Sequence, residues 1–195
     1  MIGQEKNMIL YMIRHGQSED NAVHRFSGWA NSPLSERGIA DAMETAKRLG
    51  NVQFDKVYSS DTRRAAQTCE IIRPDAKPIF TELLREINVG ELSGKLVADC
   101  PMIYGERITE DRRARDYRFY GGENTDDQMA RVRSFIDMVE KDSGTVAAFC
   151  HEGTIKCALT IVEGSETFIN RSCKNGAICI FEYSEGEWTL LEWDV

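Results

Sequence analysis

Two histidines of this chain stand where an apolar run of residues ends. His15 lies in YMIRHGQSEDNA directly after Arg14, and His151 lies in AAFCHEGTIK. A neutral imidazole can attack phosphorus as a nucleophile, and a neighbouring guanidinium offers phosphate oxygens a planar fork of donors. The residue types therefore indicate a site that binds a phosphate group and transfers it to a histidine.

These side chains need neighbouring strands to bring them together. A third predicted strand, in FDKVYSS, leads into a predicted helix that carries Arg64 one turn in. If the three strands are neighbours, their carboxyl ends meet at the sheet edge where open α/β proteins bind ligands. His15, His151, Arg14 and Arg64 would then form one cluster. The cations in it would lower the pKa of the imidazoles and favour their neutral form.

The chain as a whole is acidic, with a formal net charge of −8 over 195 residues. General affinity for nucleic acid or for an acidic membrane surface is therefore not expected, and any phosphate must be bound by local donors. Asn21 supplies an amide donor to the predicted cluster. Backbone N–H groups at the start of the helix that contains Gly153 supply more.

Hydrophobic periodicity predicts the elements that carry this cluster. Strands are predicted at 8–13, 54–58, 77–81 and 145–150, with a closing hairpin of 177–183 and 188–193 around SEGE. Helices are predicted at 35–49, 61–72, 125–140 and 154–162. This alternation predicts a three-layer α/β/α sandwich with a mostly parallel central sheet. A single domain over 1–195 is predicted, with 95–119 as a small helical cap inserted into it.

Two of the helices carry more specific predictions. The 35–49 helix is predicted to turn one apolar stripe inward, formed by Ile39, Met43, Ala46 and Leu49. The 125–140 helix is predicted to begin with a capping box between Thr125 and Gln128.

Several other protein classes are disfavoured. The apolar run MILYMI is far shorter than a membrane span, which predicts a cytoplasmic protein. The six cysteines form no C-x-x-C pair, which predicts free, buried thiols rather than a zinc or redox site. A cysteine phosphatase needs an arginine after five further residues, whereas Cys150 is followed there by Lys156. The sequence also lacks a P-loop motif.

Several segments resemble, in the same order, the motifs of the histidine phosphatase superfamily, the phosphoglycerate-mutase-like proteins. They are RHGQSEDN, FSGWANSPLSERG, SSDTRRAAQT, LREINVGELSG, GGEN and CHEG. The resemblance covers nearly the whole chain, and its motifs coincide with the predicted strand ends.

The resemblance implies roles for single residues. His15 would be the nucleophile, and Glu86 would be the general acid and then the general base. The phosphoryl oxygens would be held by Arg14, Arg64 and His151, with support from Asn21. Phosphate charge nearby should raise the pKa of Glu86, so that it holds a proton for the leaving alkoxide. No metal or other cofactor is expected, because arginines and histidines neutralise the phosphoryl charge.

Some of these positions also have simpler interpretations. Glu86 could be a solvated loop carboxylate paired with Arg85. By the same resemblance Gln17, Ser27 and Gly28 would touch the substrate, but the alternative is that they only form turns. His24 is predicted to be a structural or surface residue, and Arg63 is predicted to lie on the surface.

Three residues depart from the family pattern. Thr62 replaces a leucine, which we expect to change packing only, and Asn31 replaces an aspartate, which would weaken a supporting contact. Glu152 replaces a glycine beside His151. Its carboxylate either points to solvent or adds negative charge near the pocket, which would favour an uncharged or cationic substrate tail.

The cap is rich in arginines interspersed with acids. They are Arg107, Arg112, Arg113, Arg115 and Arg118. A solvated, salt-bridged helix is the favoured interpretation. The alternative is a lid whose arginines bind a second anionic group of the substrate.

Three functions fit these residues. A phosphatase that acts on a small phosphorylated metabolite is favoured over a phosphoglycerate mutase. The reason is that Val89 and Val97 stand where mutases of the family have a tyrosine and a lysine. A non-catalytic phospho-ligand binder is the third possibility, against which the complete set of site residues argues. The edge near the C-terminal hairpin could support a homodimer.

Overall fold

The computed structural model describes residues 7–195, which form a six-stranded mixed sheet in the order β3-β2-β4-β1-β5-β6. The strands are β1 (Met8–Arg14), β2 (Lys56–Ser60), β3 (Ile79–Thr81), β4 (Gly144–Cys150), β5 (Ile178–Ser184) and β6 (Glu187–Glu192). The first four are parallel to one another, and β5 and β6 add an antiparallel hairpin at one edge. The predicted mostly parallel sheet and the closing hairpin are therefore confirmed.

The sheet topology brings the strand ends of the predicted site together. β1 and β4 are direct neighbours, and Arg14 is paired in register with Cys150. Because the histidines directly follow these two residues, His15 and His151 leave the sheet side by side. β2 lies on the other side of β4, so the helix that follows β2 begins at the same edge.

Helices cover both faces of the sheet. Those described are α1 (Glu19–Ala22), α2 (Glu36–Leu49), α3 (Arg63–Ile72), α4 (Cys100–Tyr104), α5 (Arg107–Ala114), α6 (Thr125–Val139) and α7 (Glu152–Val162). α6 and α7 bury Phe135 and Ile155 in a core on one face, and α2 and α3 bury Leu49 and Cys69 in a core on the other. The result is the predicted three-layer sandwich.

The inward face of α2 matches its predicted stripe only in part, because Leu49 is buried and Ala46 packs against the same core but the other two residues are exposed. Ile39 and Met43 are 41% and 54% exposed, whereas Gly38 and Ala42 are buried. Small residues face inward because this helix passes very close to the loop after His15, where Gly38 contacts the backbone of Gly16. A side chain on either glycine would collide with the backbone of the other segment, so the two glycines fix the approach.

Two local boundaries also differ from prediction. The capping box of α6 is formed by Asn124 and Asp127, one residue before the predicted pair. β2 runs to Ser60, because the hydroxyls of Ser59 and Ser60 have hydrogen-bond partners that allow both serines to be fully buried in the strand.

The predicted cap segment is largely helical. It contains α4, α5 and a short 3₁₀ turn, and it packs over residues that follow Glu86 in the chain. Phe26, Ile87, Val89, Ile108 and Tyr117 form part of a separate apolar cluster beneath it.

The remaining class predictions concern the thiols and the membrane. All six cysteines lie within the described range, and all are buried and unbridged, as predicted. Between residues 7 and 195, none of the helices is long and apolar enough to cross a bilayer.

Candidate active site

His15 is held at the sheet edge by its own backbone. Its N–H donates to the carbonyl of Cys150 at 3.0 Å, and its carbonyl accepts from the N–H of Gly176 and from the amide of Asn175. The ring lies 5.0 Å from the ring of His151, centroid to centroid. The two predicted histidines therefore lie in one site.

The hydrogen bonds of His15 define its tautomer. Nε of Arg64 lies 3.2 Å from Nε2 of His15, and an arginine can only donate, so Nε2 is unprotonated. Nδ1 lies 2.6 Å from the carbonyl oxygen of Gly16 and carries the proton. The lone pair on Nε2 is the nucleophilic one, and the backbone holds the other nitrogen in the complementary state.

Arg64 is 1% exposed, and all three of its nitrogens have partners. Nη1 and Nη2 donate to the carbonyls of Ala30 and Gly28 at 2.9 and 2.8 Å. Burial lowers its pKa from 12.5 to about 10. Arg63 is exposed, as predicted, so Arg64 is the residue that α3 places in the site.

Both histidines of the site are held neutral. Burial lowers the pKa of His15 well below its usual value, and the nearby charges of Arg64 and Arg14 lower it further. The pKa of His151 is lowered by burial and by the same two arginines. The cations that would bind a phosphoryl group therefore also keep the nucleophile unprotonated.

This neutrality predicts a pH dependence of stability. Below about pH 6.5 the unfolded chain takes up protons that the folded His15 and His151 do not. The free energy of unfolding should therefore fall with decreasing pH, by about 1.4 kcal/mol per pH unit for each histidine. Urea unfolding at about pH 7.5 and about pH 5.5 measures this fall. In His15→Gln the fall in unfolding free energy between the two pH values should be about half as large as in the unaltered protein, and in the exposed control His24→Gln it should be unchanged. Equal falls in the two variants would contradict the conclusion that His15 is held neutral.

His151 has partners that the sequence did not indicate. Its Nε2 lies 3.0 Å from Oγ of Ser60 and 3.2 Å from Oγ1 of Thr62. The expectation that Thr62 changes packing only is therefore wrong, because its hydroxyl contacts the ring directly. Nδ1 is buried and has no hydrogen-bond partner within the described part of the chain. A phosphoryl oxygen would be a suitable partner for it.

Arg14 is fixed at one end of its guanidinium. Nη1 donates to the carbonyl of Cys173 and lies 3.0 Å from a carboxylate oxygen of Glu152. The other carboxylate oxygen of Glu152 lies 2.7 Å from Nζ of Lys156. Glu152 therefore does not simply point to solvent, because its carboxylate lies beside Arg14 and is paired with two cations. Nε of Arg14 is buried and unpartnered among residues 7–195, so the opposite edge of the guanidinium is available to an anion.

Glu86 lies at the N-terminus of α7, where the backbone binds its carboxylate. Oε2 accepts from the N–H of Gly153 at 3.0 Å, and Oε1 accepts from the N–H of Ile87 at 2.8 Å and from the amide of Gln128 at 3.1 Å. A Cβ on Gly153 would collide with this carboxylate, which explains the glycine. The alternative pairing with Arg85 is not formed, since Arg85 binds Asp61 and Glu82.

The protein's own contacts hold Glu86 as an anion. Burial by itself would raise the pKa of Glu86, but the charge of Arg115 and the three hydrogen bonds outweigh it and lower the pKa to about 2. A raised pKa is expected for Glu86 only where a phosphate lies nearby. The chain alone shifts it in the opposite direction, so Glu86 holds a proton near neutral pH only if a bound group raises its pKa.

The loop that carries Glu86 is clamped by Arg131 and Trp29. Arg131 donates to the carbonyls of residues 82, 83, 85 and 86 and forms a bidentate ion pair with Glu123. The indole of Trp29 donates to the carbonyl of Glu86 at 2.7 Å. These two residues, which the sequence analysis missed, position the acid without touching its carboxylate.

The other predicted contact residues serve neighbouring elements. Asn21 caps α1 through its Oδ1, and Oε1 of Gln17 accepts from Ser35 at the start of α2. The carbonyl of Gly28 positions Arg64. Oγ of Ser27 is buried without a partner in the described structure. Their contacts with a substrate remain predictions.

Asn31, the aspartate replacement, accepts from the N–H of Arg63 at the start of α3. His24 is exposed, as expected. Within 7–195, no cluster of three or more histidine, cysteine or acidic side chains has the arrangement of a metal site.

Fold and site together define a class of protein. An α/β sandwich carries, at the ends of its parallel strands, a neutral histidine next to a buried arginine, with a second histidine and a carboxylate nearby. The model of the histidine phosphatase superfamily (branch 1) matches residues 10–195. The chain belongs to this superfamily.

Individual relatives agree with that membership. The chain is 34% identical over 161 residues to the 2,3-bisphosphoglycerate-dependent phosphoglycerate mutase 2 of Gloeobacter violaceus, covering 77% of this chain and 74% of that protein. Among solved structures it is similar to the α-ribazole phosphatase of Shigella flexneri, with a TM-score of 0.88, 22% identity and 96% of both chains covered. A mycobacterial glucosyl-3-phosphoglycerate phosphatase gives a TM-score of 0.83 at 24% identity, covering 96% of this chain and 98% of that one. At these identities the two structural matches show the shared fold.

Proposed function

We propose that the protein is a metal-independent phosphomonoesterase that acts on a small phosphorylated metabolite through a phosphohistidine on His15. The observation that carries this proposal is the hydrogen-bond geometry of His15, from which its protonation state follows. Its Nε2 is unprotonated and lies beside Arg64, while Nδ1 is bound to a backbone carbonyl. Arginines on two sides supply the positive charge that a metal supplies in other phosphoryl-transfer sites.

The reaction would proceed in two steps. In the first, Nε2 of His15 forms a bond to phosphorus while the bond from phosphorus to the ester oxygen breaks, and the leaving oxygen takes a proton from Glu86. In the second, Glu86 removes a proton from a water molecule while the water oxygen attacks the phosphorus of the phosphohistidine. The bond from phosphorus to Nε2 breaks, which releases phosphate and restores His15. Arg14, Arg64 and His151 would bind the phosphoryl oxygens in both steps.

The residues that follow Glu86 favour hydrolysis over isomerisation. At the positions where mutases resemble one another in a tyrosine and a lysine, this chain has Val89, buried in the cluster under the cap, and Val97, packed against that cluster. Neither side chain can donate a hydrogen bond to a bound sugar acid. A mutase must retain its bisphosphate intermediate, and these positions supply no donor for that purpose.

Phosphoglycerate mutase activity is the second candidate, because relatives 30% to 34% identical to the chain carry that name. One comparison separates the two activities. Phosphoglycerate and a catalytic amount of bisphosphoglycerate are incubated with the protein, and both the isomer and free phosphate are measured. We expect phosphate release to exceed isomer formation, and the reverse would assign the protein as a mutase.

The general activity is tested with phenyl phosphate in the presence of a chelator. We expect hydrolysis at an undiminished rate. Binding of the ester without hydrolysis would instead assign the chain as a phospho-ligand binder. A panel of sugar phosphates and phosphorylated cofactor precursors, scored by kcat/KM, would then identify the substrate class.

A further inference from the structure

The side-chain contacts of Arg115 differ from those of Arg107 and Arg118, two other arginines of the cap. Arg107 and Arg118 form exposed ion pairs with Asp111 and Asp116, as the favoured interpretation predicted. The side chain of Arg115 instead points into the candidate site. Its guanidinium packs over the ring of Phe168 at 4.8 Å from the ring centre.

The contacts of Arg115 with the acid are incomplete. Nη2 donates to Oε1 of Gln128 at 2.7 Å and lies 4.0 Å from Oε1 of Glu86, which is an ion-pair distance and not a hydrogen bond. Nε is buried and has no partner among the residues that the structure describes. A Cβ added to Gly153 would lie only 2.8 Å from Nη2, so the guanidinium lies against the first turn of α7, close to His151.

The backbone of Arg115 is also unusual. It caps the C-terminus of α5 with φ of 54°, in the left-handed region that favours glycine. A strained position of this kind persists only where its surroundings hold it in place, and such positions cluster at functional sites.

The charged groups around Glu86 favour its charged form. Arg115 faces it from the cap, Arg64 adds attraction from α3, and Arg131 on α6 binds its backbone carbonyl while being paired with Glu123. The other titratable neighbours, Tyr117, Cys150 and Cys157, are buried groups whose pKa values are raised mainly by burial, so they stay neutral. Oε1 already accepts two hydrogen bonds, and only Oε2 retains a free lone pair for a proton.

We propose that Arg115 is the cap residue that holds Glu86 as a carboxylate in the free protein, and that a bound phosphate ester takes over this arginine, so that Glu86 receives its proton only when the substrate is in place. The inference rests on the proposed function, because it concerns the acid of that reaction. It also specifies the protonation state in which the substrate binds, which is the monoanion of a phosphomonoester.

The proton balance follows from that form. The monoanion carries one proton on its phosphoryl group, and its second pKa is near 6. On binding, this proton passes to Oε2 of Glu86, and the phosphoryl group becomes a dianion that pairs with the arginines. The leaving oxygen then takes the proton as the bond to phosphorus breaks, and Glu86 is again a carboxylate that can accept a proton from water.

The test measures the pKa of Glu86 directly, by NMR of protein labelled at the glutamate carboxyl carbons, with Glu86→Gln to assign the signal. Arg115→Gln should raise this pKa by about 1 to 3 units, because an opposite charge at 4 to 6 Å lowers a carboxyl pKa by that amount. The exposed cap residue Arg113 is the matched control, and Arg113→Gln should leave the pKa unchanged. Arg115→Gly relieves the backbone while removing the charge and should give the same rise, which excludes misfolding as the cause.

Inorganic phosphate is the probe for the second half of the proposal. It should raise the pKa of Glu86 in the unaltered protein, and it should bind Arg115→Gln about tenfold more weakly. The role of Arg115 would be overturned if the pKa of Glu86 were unchanged in both Arg115 variants. It would also be overturned if Arg115→Gln bound phosphate as tightly as the unaltered protein does. These titrations need no turnover. Failure of the unaltered protein to hydrolyse phenyl phosphate would therefore overturn the proposed function separately.

Discussion

His15→Asn should lower kcat for phenyl phosphate by about 10⁴-fold or more, because it removes Nε2, the nitrogen proposed to attack phosphorus. Asparagine is smaller than histidine, and its side-chain amide, which reaches the position of Nδ1 but not that of Nε2, can still donate to the carbonyl of Gly16. The variant should therefore fold and still bind phosphate. Initial rates and phosphate affinity are measured on the same preparation.

The control for this variant is His24, which is exposed. His24→Asn should keep the full rate. If His15→Asn retains a substantial fraction of the rate while His24→Asn behaves as expected, water attacks the ester directly and no covalent intermediate is needed.

Arg64→Lys should lower kcat by about 10² to 10³-fold, the effect of removing one oriented donor from a site of developing charge. A lysine retains the positive charge but cannot donate at once to His15, Gly28 and Ala30, as the guanidinium does. A carbonyl left without its donor should cost about 1 to 3 kcal/mol of unfolding free energy if it is buried, as that of Gly28 is. Steady-state kinetics and urea unfolding measure the two effects.

The adjacent Arg63 provides a matched control, since it is exposed on the same helix. Arg63→Lys should change neither kcat nor stability. Equal rates for Arg64→Lys and the unaltered protein would show that charge alone suffices, and the orienting role given to the guanidinium would be wrong.

The sequence was most informative where chemistry coincides with a strand end. His15 and His151 could be placed together because each follows an apolar run, and parallel strands end at one edge of a sheet. Arg64 could be distinguished from Arg63 by its place in the resembling motif. These are local signals, and the structure places the three residues in one site.

The sequence was least informative where a contact depends on tertiary packing. Arg131 stands on an ordinary amphipathic helix, and only the fold shows that it binds four carbonyls of the loop before and around Glu86. Arg115 is one of five cap arginines and differs from them by a backbone conformation that no local pattern predicts. Thr62 appeared to be a packing change because its hydroxyl partner, His151, is distant in sequence.

The α2 stripe shows a related limit. Counting apolar residues favoured Ile39 and Met43 as the buried side, but the helix turns Gly38 and Ala42 inward. The helix approaches the loop after His15 so closely that only a small residue fits at Gly38. A hydrophobic pattern in the sequence does not show this steric requirement. The same approach fixes the position of the nucleophile.

The most direct measurement is a trapping experiment with a phosphate ester radiolabelled at phosphorus. The protein is quenched in base during turnover, digested, and the labelled peptide is mapped. The account predicts an acid-labile, base-stable label on the peptide that contains His15, and none in the His15→Asn variant. Label on another residue, or turnover at the full rate with no labelled peptide, would contradict it.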